Sequence, residues 1–251
     1  MRYELPDTIQ NVIISPKRAG TTWLQALLGS YLCRKYELPD ENLMRLAELS
    51  KDLKHPVAIT HDPQRNEPGA PPPDEEYKNR RIVVILRDPR DVIASRYMLD
   101  RYRNKTTSLP LAEFVRETMA SLLRFYESWL TCERGTFSGY TILRYEDLLA
   151  DTRRELISLI EFLGYDLDPK AIEAALKFGS FANMQRLELT GKFHDYYKIN
   201  DMLPVTDTEA RRTRRGQAGG YRDYLNGDTI SWIEARLQEY PALKAIYPGD
   251  T

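Results

Sequence analysis

Residues 12–23 read VIISPKRAGTTW, and this stretch decides the fold. Four residues that suit a buried strand run into a short basic loop, and the loop opens a helix. Such a loop directs backbone N–H groups and the positive end of the helix dipole at a ligand above the sheet. Lys17 and Arg18 add positive charge, and Gly20 permits close backbone approach. The stretch predicts a phosphate cradle, and the alternative is a basic solvent loop with an incidental glycine.

The cradle differs from the common nucleoside-triphosphatase loop. That loop, G-x-x-x-x-G-K-[ST], needs a first glycine and a lysine after the second glycine. Here Ser15 takes the place of the first glycine, and Thr21 follows Gly20. The magnesium geometry of that loop is therefore not implied, and we expect no metal at this site.

The remaining pattern extends this unit into an α/β fold. Apolar runs that suit strands occupy residues 12–15, 57–60, 82–86 and 140–143. Helical periodicity occupies residues 21–35, 88–102, 111–132, 151–163 and 229–238. Continuous apolar strands that alternate with helices indicate a parallel sheet flanked by helices. We expect a single domain over residues 1–251, with two aperiodic polar stretches, 62–79 and 189–213, as mobile loops that act as lids.

Composition limits the partners that the protein can have. The chain carries 36 Lys and Arg against 37 Asp and Glu, a net charge of -1, so any cationic site must be local. Nucleic-acid and membrane-surface proteins are usually more basic. The two cysteines and three histidines have no metal-ligand spacing. The polar start is unlike a signal peptide, and no apolar run approaches the ~20 residues of a membrane span. We expect a cytoplasmic protein without nucleic-acid, membrane or metal partners.

A second basic motif lies at residues 83–98, VVILRDPRDVIASRYM. Arg87 ends a buried strand, and a helix begins at once with Ser95 in its second turn. An arginine at a strand end can bind a phosphate through two parallel hydrogen bonds. Alternatively, Arg87 pairs with Asp88 or Asp91 and serves only to start the helix.

A third basic motif lies at residues 211–225, RRTRRGQAGGYRDYL. Five basic residues alternate there with glycines and share no helical face. The motif is either a further anion-binding segment or a solvated charged surface.

Together the three motifs resemble the PAPS-dependent sulfotransferases, which use 3'-phosphoadenosine 5'-phosphosulfate (PAPS). KRAGTTW is similar to their P-K-S-G-T-T-W loop, RDPRDVIASRY to R-N-P-K-D-V-x-x-S-x-Y, and TRRGQAGGYRDYL to R-K-G-x-x-G-D-W-K-x-x-F. ILRYEDLLAD and FGSFANMQ are similar to the family's Y-E-D-L and S-F-E-x-M-K segments. The five motifs follow the family order. The resemblance is to the cytosolic type, and we expect a bacterial source.

The resemblance implies a role for each matching residue. In the family, the first loop binds the 5'-phosphosulfate, and its cation stabilises the bridging oxygen as the bond to sulfur breaks. Arg18 matches that cation and Lys17 falls where relatives have proline, so either of the two could contact this oxygen. The 3'-phosphate clamp matches Arg87, Ser95, Arg214, Arg215 and Gly216. The implied cofactor-binding set is completed by Ala19, Gly20, Thr21 and Thr22 in the loop, and by Trp23, Tyr145 and Phe181 around the adenine. Trp23 and Tyr145 could equally be core residues.

AITHDP resembles the family's K-T-H-L-P segment and puts His61 at the position of the general base. An imidazole suits this task because its pKa lies near neutrality. Ile59 replaces the family lysine, so Arg18 or Lys17 would have to supply its charge. The alternative for His61 is a structural histidine.

The predicted activity is in-line transfer of a sulfuryl group from PAPS to a hydroxyl or amine of a small-molecule acceptor, such as a natural-product intermediate. A small-molecule kinase and a non-catalytic 3'-phosphoadenosine nucleotide-binding protein are the alternatives. Phe193, Tyr196 and Tyr197 either line the acceptor pocket or are exposed loop aromatics. The family's dimer motif is not recognisable around residues 226–234, so no oligomeric state is predicted.

Overall fold

The computed structural model describes residues 5–197 and 207–248. Within these ranges, four strands form one parallel sheet in the order β2-β1-β3-β4. The strands are β1 (Asn11–Ile14), β2 (Val57–Thr60), β3 (Arg81–Leu86) and β4 (Gly139–Arg144). The predicted α/β fold with a parallel sheet is confirmed, and each predicted strand lies within one residue of its observed ends.

The central strands are apolar because both faces of the sheet are covered. Val12, Ile13 and Ile14 of β1 are all 0% exposed. Neighbouring residues of a strand point to opposite faces, so their joint burial requires packing on both sides.

Helices connect and flank the strands. Their bounds are α1 (Thr21–Lys35), α2 (Leu46–Leu49), α3 (Pro89–Met98), α4 (Leu111–Thr131), α5 (Tyr145–Ala150), α6 (Thr152–Phe162), α7 (Pro169–Phe178), α8 (Phe181–Leu189), α9 (Lys192–Tyr197), α10 (Gly227–Leu237) and α11 (Pro241–Ile246). Aspartates cap three of them: Asp88, Asp151 and Asp168 accept hydrogen bonds from backbone N–H groups in the first turns of α3, α6 and α7. Within the described residues, no helix combines the length and apolar character needed to cross a bilayer.

The prediction of one continuous loop over residues 189–213 is wrong in part. Leu189 ends α8, and residues 192–197 form α9. Phe193 is 1% exposed and packs with other apolar side chains, which explains why this short polar segment is helical. Residues 198–206 of the predicted loop lie outside the described residues.

The other predicted lid, residues 62–79, is anchored to the body of the protein. Its 3-10 turn, Pro63–Asn66, packs against α4. Arg65 has a side chain 0% exposed and forms ion pairs with Asp62 at 3.2 Å and with Glu76 at 2.5 Å. The mobility of this segment stays a prediction, but a buried arginine between two carboxylates ties its beginning to its end.

Candidate active site

A cleft of about 790 Å³ lies at the carboxyl ends of the strands. His61, Arg87 and Tyr145 are each the first residue after a strand, and the loop after β1 completes this edge. Parallel α/β sheets bind ligands at this edge. The structure brings the predicted catalytic and cofactor-binding residues together, because all of them line the cleft except one. The exception is Ala19, which is 0% exposed.

The loop between β1 and α1 makes a turn that requires glycine. Gly20 has φ 97°, and a Cβ built there would lie 2.6 Å from Cδ2 of Tyr145. Beneath the turn, the hydroxyls of Ser15 and Thr21 are 2.7 Å apart, and both residues are buried. The turn therefore opens the N-terminus of α1 toward the cleft and holds it there.

Arg18 adds a cation whose surroundings are already positive. It is half-buried, with φ 78°, and its Nε donates a hydrogen bond to Oγ of Ser95 at 3.0 Å. Burial, together with the charges of Arg212, Arg214 and Arg87, lowers the pKa of Arg18 to about 9. A bound anion would stabilise the protonated guanidinium.

Arg87 pairs with one of the two aspartates that the sequence offered, and it also lines the cleft. Its Nη2 lies 3.5 Å from the Asp91 carboxylate, and its guanidinium lies 4.2 Å from the ring centroid of Tyr145. Asp88 instead caps α3 by accepting from the Arg90 backbone N–H at 2.8 Å. Arg87 still faces the cleft, and its buried Nε has no hydrogen-bond partner among residues 5–197 and 207–248.

Asp91 fixes one end of residues 211–221, which we call the arginine loop. It is 3% exposed and accepts hydrogen bonds from the backbone N–H groups of Gly219 at 2.8 Å and Tyr221 at 2.9 Å. Asp91 thus positions both Arg87 and the loop opposite it. Sequence reasoning considered Asp91 only as a partner of Arg87, because its partners on the loop lie some 130 residues away.

Glu188 of α8 fixes the other end of the arginine loop, and sequence reasoning missed it. This carboxylate is 1% exposed and accepts hydrogen bonds from the backbone N–H groups of Arg212 at 2.7 Å and Thr213 at 2.9 Å. The Thr213 hydroxyl donates to it at 2.6 Å, and Nη1 of Arg103 at 3.1 Å. A buried ionised carboxylate needs such donors, which its flanking sequence does not reveal.

The arginine loop places its cations along the cleft, but they also contact carboxylates. Nη1 of Arg214 lies 3.1 Å from Glu209 and 3.0 Å from the hydroxyl of Tyr224. Arg215 pairs with Asp223. The predicted clamp residues therefore share one cleft, and two of its arginines also pair with acidic side chains.

Three aromatic side chains form a second wall of the cleft. Trp23 donates from Nε1 to the Gly179 carbonyl at 2.8 Å and packs edge-on against Tyr145, with ring centroids 5.8 Å apart. Phe181 is 42% exposed, and its ring lies over Gly216, where a Cβ would come within 2.6 Å of the ring. Trp23 and Tyr145 thus pack against each other and also line the cleft, whereas the side chain of Phe181 is exposed.

His61 is held in one tautomer. Its Nδ1 lies 3.0 Å from the backbone carbonyl oxygen of Ser15, so Nδ1 carries the proton and Nε2 keeps the lone pair. Burial lowers the pKa of His61, the hydrogen bond to Ser15 opposes this shift, and the charges of Lys17 and Arg212 add to it. The imidazole is consequently neutral near pH 7 and able to accept a proton.

The three predicted acceptor-pocket aromatics have different positions. Tyr197 lines the cleft and donates a hydrogen bond to the side-chain oxygen of Gln25. Tyr196 packs edge-on against Phe178, and Phe193 is buried. Only Tyr197 of these three therefore contributes to the cleft surface.

No group of three or more His, Cys, Asp or Glu side chains is placed to hold a metal ion in the part of the chain that the structure describes. The expectation of a reaction without metal stays a prediction.

Comparisons with known proteins agree with this architecture. The model of the sulfotransferase domain family matches residues 8–243. The 3-alpha-hydroxysteroid sulfotransferase of Cavia porcellus is 29% identical over 175 residues, which cover 67% of this chain and 57% of that protein. The chain thus spans just over half the length of this relative.

Two solved structures share the fold. Mouse sulfotransferase SULT7A1, complexed with the desulfated nucleotide PAP, has 17% identity and a TM-score of 0.65, and the match covers 94% of this chain and 85% of that one. Retinol dehydratase, in a complex with retinol and PAP, has 18% identity and a TM-score of 0.68, with coverages of 99% and 84%. With the match over residues 8–243, the chain belongs to the sulfotransferase domain family.

Proposed function

We propose that this protein transfers a sulfuryl group from PAPS to a hydroxyl or amine of a small-molecule acceptor. One observation carries the proposal: a glycine-dependent anion cradle, a surplus of cations and a neutral histidine all face one cleft at the carboxyl edge of the sheet. Mouse SULT7A1, which has the same fold, holds PAP, and this supports the choice of nucleotide.

The cleft suits a polyanionic nucleotide. PAPS carries about four negative charges near neutral pH. The lowered pKa of Arg18 and the unpartnered Nε of Arg87 both mark positions where an anion would stabilise the site. We assign the 5'-phosphosulfate to the cradle at Gly20 and the N-terminus of α1, where Thr21 and Thr22 present hydroxyls.

The rest of the nucleotide site follows the arrangement of the cleft walls. We assign the 3'-phosphate to Arg87 and Ser95 together with the arginine loop, whose contributors are Arg214, Arg215 and Gly216. The aromatic wall of Trp23, Tyr145 and Phe181 would pack against the adenine. When bound, PAPS would supply the electrophilic sulfur and a stable leaving group.

The chain's own part in the reaction is proton transfer and charge stabilisation. His61 Nε2 would accept the proton that the acceptor loses as its oxygen or nitrogen attacks. Arg18 or Lys17, the two cations of the loop between β1 and α1, would stabilise the negative charge that develops on the bridging oxygen. Sulfuryl transfer resembles phosphoryl transfer, in which positioning and cations provide most of the catalysis.

We propose that the acceptor is a small organic molecule, such as a natural-product intermediate. We also propose that the reaction takes place in the cytoplasm. The relative from Cavia porcellus is named for hydroxysteroids, and the retinol dehydratase structure contains retinol. These names support a small organic acceptor as a class.

A transfer assay tests the proposal against its alternatives. Labelled PAPS is incubated with a panel of phenols, alcohols and amines in EDTA, and a parallel assay offers labelled ATP with Mg²⁺. We expect labelled sulfated products in EDTA and loss of this activity in His61→Ala. Transfer from ATP alone would indicate a kinase, and tight PAPS binding with no transfer to any acceptor would indicate a non-catalytic nucleotide-binding protein.

A further inference from the structure

The wall of the cleft that carries the proposed base is built on a turn at Asp62. The lining residues of this wall are Ile59, Thr60, His61 and Pro63. Asp62, between the last two, is 2% exposed and does not line the cleft. It has φ 38°, a left-handed backbone conformation that a residue with a side chain keeps only where its surroundings hold it. The turn that follows the base therefore needs a contact that stabilises it.

His61 is held by the strand on one side and by this turn on the other. The backbone N–H of Ser15 donates to the Thr60 carbonyl at 3.1 Å, which continues the pairing of β1 with β2 up to the residue before His61. After His61, the Asp62 N–H donates to the Thr60 hydroxyl at 3.1 Å. The direction in which the imidazole leaves the backbone, and with it the hydrogen bond from Nδ1 to the Ser15 carbonyl, therefore depends on the conformation at Asp62.

Arg65 holds the Asp62 side chain in the turn. Its Nε lies 3.2 Å from Asp62 Oδ2, and the side chains of the two residues are 0% and 1% exposed. Burial raises the pKa of the Asp62 carboxyl to about 6, and the charge of Arg65 opposes this shift. A buried carboxylate needs a partner such as this cation, and loss of one member of a buried ion pair leaves the other uncompensated. The turn and the ion pair thus depend on each other.

The rest of the segment anchors Arg65 in turn. Its Nη2 lies 2.5 Å from Glu76, and its Nη1 donates to the Pro71 carbonyl. The residue next to it is tied to α4, because Arg124 Nε donates to the Asn66 carbonyl at 2.8 Å. Arg65 therefore connects the turn after β2 to a fixed point on the body of the protein.

We infer that Arg65 is a positioning residue for the reaction: through its ion pair with Asp62, it holds the imidazole of His61 in the orientation that a base needs. The inference rests on the proposed function and adds a residue that lies outside the cleft lining. Loss of the pair would release the turn, so the imidazole would leave the Ser15 carbonyl and Nε2 would lose its fixed position. The pair should therefore affect turnover and leave nucleotide binding intact.

Three variants test the ion pair. Asp62→Asn keeps a residue type that tolerates the left-handed conformation and replaces the carboxylate by a neutral amide of the same shape. Arg65→Met removes the cation, and Arg65→Lys restores a charge at the same position. We expect kcat to fall about tenfold in Asp62→Asn and further in Arg65→Met, because misplacement of a reacting group by about 1 Å can cost about 10²-fold in rate. Arg65→Lys should recover part of the loss, and calorimetry should show a wild-type affinity for PAP in all three variants.

Nuclear magnetic resonance of the imidazoles provides a readout that does not depend on turnover. The chain has three histidines, so the signals of His61 can be assigned by their loss in His61→Ala. Long-range proton–nitrogen correlation spectra, recorded at slightly alkaline pH, report which ring nitrogen carries the proton. We expect the proton on Nδ1 in the wild type, and a mixture of the two tautomers in Asp62→Asn and Arg65→Met.

Arg80→Met is the matched control. The Arg80 side chain is 13% exposed, donates to the backbone carbonyls of Leu5, Pro6 and Ile9, and does not line the cleft. Like Arg65→Met, this variant removes a largely buried arginine that ties a segment to the body of the protein. It should keep the wild-type kcat and the wild-type tautomer of His61 even where its melting temperature falls.

Two results in folded variants would overturn the inference: a His61 that keeps its proton on Nδ1 in both Asp62→Asn and Arg65→Met, or an unchanged kcat in both. The same loss of kcat in Arg80→Met would also overturn it, because the effect would then follow from stability alone. If Arg65→Met does not fold, Asp62→Asn decides. A wild-type protein that transfers no sulfuryl group would end the proposed function, whereas the spectra would still show whether the ion pair holds the imidazole.

Discussion

The hydrogen bond from His61 to the Ser15 carbonyl determines which ring nitrogen can act as a base. Because Nδ1 donates to that oxygen at 3.0 Å, Nε2 is the acceptor. We expect His61→Ala to lower turnover by ~10²–10⁴-fold, the usual contribution of general-base catalysis, while the affinity for PAP stays nearly intact. Steady-state kinetics and calorimetry measure the two effects. Near wild-type transfer to an aliphatic alcohol by His61→Ala would place the base elsewhere.

The surroundings of His61 also predict the pH dependence of the reaction. Burial, assisted by Lys17 and Arg212, lowers the pKa of His61 below the ordinary value near 6.5. The base should therefore remain active at neutral pH, and kcat/KM should fall as the pH drops through this lowered pKa and the imidazole takes up a proton. Lys17→Met removes a neighbouring positive charge and should move the midpoint upward. A midpoint above 6.5 in the wild type would contradict this account of the site.

Gly20 is constrained both by its backbone and by its neighbour. At φ 97°, with Tyr145 2.6 Å from the position of a Cβ, alanine would strain the turn and displace the ring. We expect Gly20→Ala to cost at least about 2 kcal/mol in PAP binding or in folding. Gly227→Ala is the matched control, because no atom lies within 4 Å of a Cβ there. Calorimetry and thermal unfolding of both variants measure the difference, and equal behaviour would rule out the constraint.

The residues that carry charge or a special backbone could be identified from the sequence, because they belong to short motifs next to strands. The residues that hold these charged side chains in place could not be identified from the sequence. The sequence indicates Asp91 only as a local partner of Arg87 and does not indicate the role of Glu188. Their roles depend on backbone donors brought near by folding, up to 130 residues away. No local pattern in the sequence records such a pairing.

At the scale of elements, the arginine loop depends on carboxylates that other elements supply. Glu188 accepts backbone hydrogen bonds at residues 212 and 213, and a glutamine there would present an amide NH₂ to one of these donors. We expect Glu188→Gln to weaken PAP binding by about tenfold, equivalent to one such hydrogen bond. Glu48→Gln is the control, since the Glu48 side chain is 45% exposed in a surface ion pair. Unchanged PAP affinity in Glu188→Gln would show that the loop does not need this anchor.

Long periodic elements were predictable, whereas short ones were not. The helix predicted over residues 21–35 is observed as Thr21–Lys35, since helical periodicity of apolar residues runs through the whole segment. The sequence predicts a loop at residues 192–197, because a helix of six residues has too little periodicity to detect. Its stability comes from the burial of Phe193, a tertiary effect.

For the whole molecule, the parallel direction of the strands follows from the chain's alternation of buried strands and helices. The sheet brings the loop after β1, His61, Arg87 and Tyr145 to one edge, although they are spread over more than half of the chain. The sequence motifs could be assigned to this edge because parallel strands end together. The sequence could not predict which part of a bound ligand each cation contacts, because this depends on the direction in which each side chain points.

The central claim is that this cleft recognises a nucleotide through its 3'-phosphate, and comparative calorimetry tests it most directly. The protein is titrated in EDTA with PAP, which carries 3'- and 5'-phosphates, and with AMP, which carries only the 5'-phosphate. Loss of a charge-assisted contact costs about 1.5–3 kcal/mol. We therefore predict that PAP binds about ten- to a hundredfold more tightly than AMP. Equal affinities for the two nucleotides would contradict the account.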